Sequence, residues 1–198
     1  IAFDSTNNKV VISYRNTFLG YAIVGTVSGT SISFGSASSS FGTSSGIDNN
    51  SIAYDSANNK VVIIYRDAGN NSYGTAIVGT VSGTSISLGS PVVFNSGDTR
   101  LTSAVYNSDN GTVVVSYKDN GNNGAGTAIA GTVSGTSINF DSPVVFEPAG
   151  SYTYISSTFD SSNNKVVIAF NAGQKGRAVV LSPSSTNLTT ENYIGIAA

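Results

Sequence analysis

The chain has 198 residues, a net charge of −2 and a sequence isoelectric point near 4.8, a balance that argues against an electrostatic grip on nucleic acid or anionic lipid. It contains no Cys and no His, which excludes disulfides, thiolate or imidazole metal sites and the usual Ser–His and Cys–His acyl-transfer arrangements. No apolar stretch approaches the roughly 18 residues of a membrane-spanning helix, so neither membrane insertion nor a cofactor is expected.

The first copy of an internal repeat begins at Ile1 with IAFDSTNNKVVISYR. It returns from Ile52 as IAYDSANNKVVIIYR, from Ala104 as AVYNSDNGTVVVSYK and from Ser157 as STFDSSNNKVVIAF. The anchors Asp4, Asp55, Asn107 and Asp160 are 51, 52 and 53 residues apart. A second segment, AIVGTVSGTSI, stands at Ala22 and Ala76, becomes AIAGTVSGTSI at Ala128, and decays to GRAVVLSPSS in the fourth copy. The chain opens in mid-repeat without Met, which predicts a portion of a longer protein.

Each copy reads as four strands; in the second copy they are 51–54, 60–66, 75–81 and 86–94. Asn-Asn, Asn-Gly and Ser-Gly pairs supply the positive-φ positions that hairpin turns require. No 3.6-residue apolar period persists, so no helix is predicted. In the first copy the Ser-rich 36–46 replaces the SPVVF of later copies, leaving its outer strand in doubt. In the fourth the pattern ends at Pro183. Completing that copy predicts a strand from upstream of Ile1.

The second strand fixes the architecture. Val61, Ile63 and Tyr65 lie on one face, and Val62 and Ile64 on the other, so both faces must be covered. Four-stranded antiparallel sheets stacked face to face around an axis satisfy that requirement, which predicts a β-propeller; a repeat β-solenoid or sandwich are the alternatives. The expected blades are 1–50, 51–103, 104–156 and 157–183, the last lacking its fourth strand, followed by a C-terminal exit segment, 184–198.

Asp4, Asp55 and Asp160 recur at one turn, and Asp67 and Asp119 at another. Such repetition points to turn capping, because Asp binds nearby backbone N–H groups. Asp67 and Asp119 also open oxygen-rich loops and are weak calcium candidates, although one carboxylate per loop is few for that ion. Ser108-Asp109-Asn110-Gly111-Thr112 resembles the Asp-box turn of sialidase propellers, once and without its anchoring aromatic. No paired-carboxylate cleft can be read from the sequence, so no catalytic residue is assigned and the chain is expected not to be an enzyme.

The Asp-Ser-x-Asn-Asn and Ser-Gly-Thr-Ser turns barely change between copies, whereas 17–21, 68–74, 120–126 and 172–176, and 45–50, 96–100 and 147–154, do. In an up-down-up-down blade the constant turns gather at one end and the variable ones at the other, where binding residues concentrate. The candidate ligand contacts there are Phe18, Tyr73, Arg100, Tyr152, Tyr154 and Lys175.

The run KVVIxYRDxGNxxYGTAIVGTVSGTSIS (60–87), the recurring SPVVF (90–94 and 142–146) and NLTTENYIGIAA (187–198) together resemble repeat-bearing structural and tail-fibre-like proteins of marine bacteriophages. The resemblance spans essentially the whole chain. It implies a non-enzymatic virion structural or adhesion module, at the particle surface or outside the cell. Its partners would be a host-surface glycan or neighbouring virion proteins, and a homo-oligomer is compatible with it. Two alternatives stand beside it, a lectin-like adhesin propeller of a bacterial surface protein and a glycoside hydrolase or lyase on a propeller scaffold.

Overall fold

The computed structural model describes residues 1–148, 152–173, 175–183 and 188–195. The described residues form antiparallel strands, with a 3-10 turn at Asn120–Asn122. β1 (Ala2–Asp4), β2 (Lys9–Asn16), β3 (Leu19–Ser28) and β4 (Ser31–Phe34) form the first sheet in chain order. β5 (Ile47–Asp55), β6 (Lys60–Asp67), β7 (Tyr73–Ser82) and β8 (Ser85–Leu88) follow in the same order, and then β9 (Val92–Asn107), β10 (Thr112–Asp119), β11 (Ala125–Ser134), β12 (Ser137–Phe140) and β13 (Val144–Glu147). β14 (Tyr152–Asp160), β15 (Lys165–Ala172), β16 (Lys175–Pro183) and β17 (Leu188–Gly195) make the last sheet.

Two expectations need correction. β9 is one continuous strand: its start pairs with β7 and its remainder with β10, so the strands of the second and third repeats are joined through it into one nine-stranded hydrogen-bonded path. The outer strand expected at 86–94 is accordingly split, because Pro91 has no N–H for the β7 ladder. The fourth repeat does have a fourth strand. It comes from the predicted exit segment, as β17 pairs with β16 from Pro183↔Leu188 to Arg177↔Gly195. Residues 184–187 and 196–198 of that segment lie outside the described residues.

In the first repeat the Ser-rich segment forms no strand, yet it follows the edge of β3. Ser38 N donates to the Ala22 carbonyl at 2.8 Å, and Gly20 and Phe41 exchange both backbone bonds at 2.9 Å.

The alternation along the second strands sorts the side chains into three apolar cores, one between each pair of successive repeats. Val61, Ile63 and Tyr65 pack with Val11, Ala22 and Val24 of the first repeat. The opposite face of β6, Val62 and Ile64, packs with Val113, Val115 and Tyr117 of the third. Val114, Ala128 and Ala130 meet Val166, Ile168 and Phe170 of the fourth. Burying such side chains contributes roughly 1.5–3 kcal/mol each, which is why these strands are apolar on both faces.

An aromatic wedge recurs in each core. Phe41 packs on Tyr65, Phe94 on Tyr117 and Phe146 on Phe170, with ring centroids 5.1, 5.3 and 5.3 Å apart. Each phenylalanine lies over a glycine. A Cβ on Gly20, Gly74 or Gly126 would come within 2.2, 2.5 or 2.6 Å of its ring, so the close approach requires glycine there.

The first strands of successive repeats stand side by side, joined through serines. Ser51 Oγ accepts from Ala104 N at 3.0 Å, and Ser103 Oγ accepts from Ser157 N at 3.0 Å. The constant turns sit at one end of the sheets. Asp4, Asp55 and Asp160 each accept bonds from backbone N–H groups and from the Asn three residues on. Asn8, Asn59 and Asn164 take φ of 52–55°, and Gly111 stands at the matching place with φ 71°.

Candidate functional site

The variable loops of the second and third repeats converge on one partly buried guanidinium. Arg66, at the tip of β6, donates through Nε to Asp98 Oδ1 at 2.7 Å, through Nη1 to Asp48 Oδ2 at 3.0 Å and through Nη2 to Ser72 Oγ at 2.6 Å. Asp48 lies at the start of β5, Ser72 in the loop before β7, and Asp98 in the middle of β9, so a single side chain ties three variable segments together. Asp98 Oδ2 accepts further bonds from Arg100 Nε at 3.0 Å and from Asn120 Nδ2 at 2.9 Å. Tyr73 pairs with Asp98 across the β7–β9 ladder.

Partial burial alone would raise the Asp98 carboxyl. Its bonds from Asn120, Arg66 and Arg100, with the charge of Arg100, outweigh that and hold it below the usual carboxylate range. Asp98 is thus a fixed anion at neutral pH and no general acid. Arg66 commits each of its three nitrogens to a partner. Arg100 spends only Nε, its side chain is 47% exposed, and its two terminal nitrogens have no partner among the described residues. That leaves an oriented, half-exposed cationic fork at the rim of the group. The adjoining segments of β9 and the loop after β10 line a cleft of about 200 Å³ with Asn95, Ser96, Gly97, Asp119, Gly121 and Asn122.

Of the six contacts expected from the sequence, Tyr73 and Arg100 meet around Asp98. Phe18 is exposed on the hairpin of the first repeat, with its carbonyl accepting from Ile47 N at 2.9 Å. Tyr152 and Lys175 both pair with Ala172, on either side of β15; the side chain of Tyr152 lies outside the described part. Tyr154 is exposed on β14. Arg66, Asp48, Asp98 and Asn120 were not singled out by the sequence reading. A basic residue at the strand tip in three copies (Arg15, Arg66, Lys118) was the signal available for Arg66.

The calcium candidates serve as caps. Asp67 Oδ1 accepts from Thr43 Oγ1 at 2.5 Å and Gly69 N at 3.3 Å, and Asp119 Oδ1 from Gly121 N at 3.0 Å and Asn95 Nδ2 at 3.1 Å. Among the described residues no three Asp or Glu side chains gather in one place. The turn that resembles an Asp-box follows Asn107, the counterpart of Asp4 and Asp55, and so lies at the constant-turn end. Asn107 Oδ1 accepts from Asp109 N at 3.0 Å.

The chain matches no protein-family model, and no curated protein matches it. Among solved structures it is similar to NanB in complex with optactamide, at 12% identity and a TM-score of 0.63, over 96% of this chain and 28% of that one. It is also similar to the NanB sialidase of Streptococcus pneumoniae in complex with 2-[(3-chlorobenzyl)ammonio]ethanesulfonate, at 14% identity and a TM-score of 0.62, over 96% and 29%. The chain thus spans less than a third of those chains, and at this identity the likeness concerns the fold alone. It nonetheless corrects the expectation of a virion structural or adhesion module, because the matched structures are of a sialidase, a glycoside-cleaving enzyme.

Proposed function

We propose that the chain forms part of a carbohydrate-active β-propeller and that its variable-loop end binds a carboxylate-bearing glycan. The face-to-face packing of successive repeats, with their first strands side by side, supports the propeller arrangement. The observation that carries the glycan reading is Arg100: Asp98 fixes its guanidinium through Nε, while the half-exposed terminal nitrogens have no partner among the described residues. A planar fork of that kind suits a sugar carboxylate, which it can meet with two parallel bonds. Tyr73 is placed to add an apolar ring surface for the sugar.

A hydrolytic role is the second reading, favoured by the likeness to a sialidase. Asp48 and Asp98 flank Arg66, and a carboxylate pair is what most glycoside hydrolases use, sialidases with their Tyr nucleophile excepted. An ionised Asp98 could serve as base or nucleophile, and the acid would have to come from elsewhere.

An array of sialylated, uronic-acid-containing and neutral glycans tests the proposal. Binding should be confined to the acidic glycans, and Arg100→Ala should weaken it at least about tenfold, the loss of about 1.4 kcal/mol. Retention of binding by that variant, or no preference for acidic glycans, would sink the reading. Release of fluorophore from a sialoside by the wild-type chain would decide for the second.

A further inference from the structure

Each internal core is made from the same two half-faces. The earlier repeat gives a trailing half such as Val62, Ala76 and Val78, and the later one a leading half such as Val113, Val115 and Tyr117. The leading half of the first sheet has no sheet against it among the described residues. Val27 and Ile32 are 55% and 43% exposed, whereas their counterparts Val81 and Ile86 are 7% exposed, and Val133 and Ile138 are 5% and 1%. Ile1 and Phe34 on the same face are 78% and 50% exposed. Tyr14, the counterpart of Tyr65 and Tyr117, carries no phenylalanine wedge and stacks on Tyr21 instead, at 5.9 Å.

The last sheet shows the reverse. Val167, Ala169, Ala178 and Val180 correspond to the fully covered trailing residues Val114 and Ala128 and their neighbours, but none of the four is buried. The two end faces are therefore the unmatched halves of an interface that the chain already makes three times. A contiguous apolar surface of this kind marks an interaction site.

We propose that a second copy of this chain covers it, head to tail: the trailing face of the last sheet of one copy packs on the leading face of the first sheet of the other. The contact is heterologous, so the pair keeps one free face of each kind, which a closed ring or a longer array would bury. The residue types favour this occupant, since at all three internal cores a trailing face of mainly Val and Ala meets a leading face of Val and Ile with an aromatic, Tyr65, Tyr117 or Phe170. The proposal is independent of the glycan reading; a glycan-binding monomer would overturn this inference alone.

Sedimentation equilibrium of the 198-residue chain, from micromolar to hundreds of micromolar, should show mass rising from 20.2 kDa to at least about twice that value. Phe34→Lys blocks the head and Ala169→Glu the tail, both at positions open to solvent in the single chain. Either variant alone retains only one kind of face and should stay monomeric, while an equimolar mixture should form a 1:1 dimer. A wild-type chain that remains monomeric across the range overturns the inference. So does association abolished by the head variant but untouched by the tail variant, which would mean a symmetric head-to-head contact.

Discussion

Phe146→Ala removes one of the three aromatic wedges. The ring is 6% exposed, packs on Phe170 with centroids 5.3 Å apart, and fills the space over Gly126. Truncation of a buried Phe costs about 3–5 kcal/mol, lost transfer and residual cavity together. At about 2–4 °C per kcal/mol for a chain of this size, the melting temperature should fall by roughly 6–20 °C. The adjacent Val145, which points to solvent at 45% exposure, is the control, and Val145→Ala should cost less than about 0.5 kcal/mol.

The glycine under the ring sharpens the test. An alanine Cβ at Gly126 would lie 2.6, 2.9 and 3.2 Å from three atoms of Phe146, and these are the closest atoms it meets. Gly126→Ala alone should therefore cost about 1–3 kcal/mol through overpacking. With Phe146 already truncated that penalty should vanish, giving a coupling of at least about 1 kcal/mol in the double-mutant cycle. Urea and thermal unfolding followed by circular dichroism measure all four proteins. Additive losses, or a Phe146→Ala effect no larger than that of Val145→Ala, would refute the wedge as the element locking the third repeat to the fourth.

Tyr65 Oη is buried with no hydrogen-bond partner, so Tyr65→Phe should leave stability unchanged or raise it by up to about 1 kcal/mol, as read from urea midpoints. Burial, and secondarily the charge of Asp67, raises the Tyr65 phenol above its usual value, and burial with Asp119 does the same at Tyr117. A raised folded value means that the native state keeps a proton the unfolded chain loses. The associated stability is thus intact below about pH 10 and lost as pH rises beyond it, and phenolate absorbance from these two residues should appear only with unfolding. Asp98 has the opposite sign. Its depressed folded value contributes stability above the ordinary carboxyl range near pH 3.9 that is lost as pH falls through the folded value. Asp98→Asn should flatten that acid limb in pH-dependent urea titrations.

The strands, the constant turns and the double-sided burial were legible because each is a local or periodic property. Asp4 and Asn8 announce a turn through their chemistry, and the run from Val61 to Tyr65 announces two buried faces through its alternation. The continuity of β9 was not legible, since Ser96-Gly97-Asp98 has the composition of a loop and forms an irregularity in the ladder: Asn95 and Asp98 pair with β7 on either side of it, and Thr99 onward pairs with β10. The fourth strand of the last repeat was missed because Leu188–Gly195 no longer spells the SPVVF pattern, while its backbone still pairs with β16. At the candidate site the sequence marked Tyr73 and Arg100 through loop variability. Arg66, Asp48 and Asp98 are 18 to 50 residues apart and only the packing of repeats brings them together, so no local pattern could join them.

The most direct test of the central claim is amide chemical-shift mapping of the 15N-labelled chain titrated with a sialylated oligosaccharide. The account predicts saturable shifts at Ser72, Tyr73, Asp98, Arg100 and Asn120, with the constant turns at Asn58 and Thr84 unmoved. Shifts centred on those turns, or none at millimolar sugar, would contradict it.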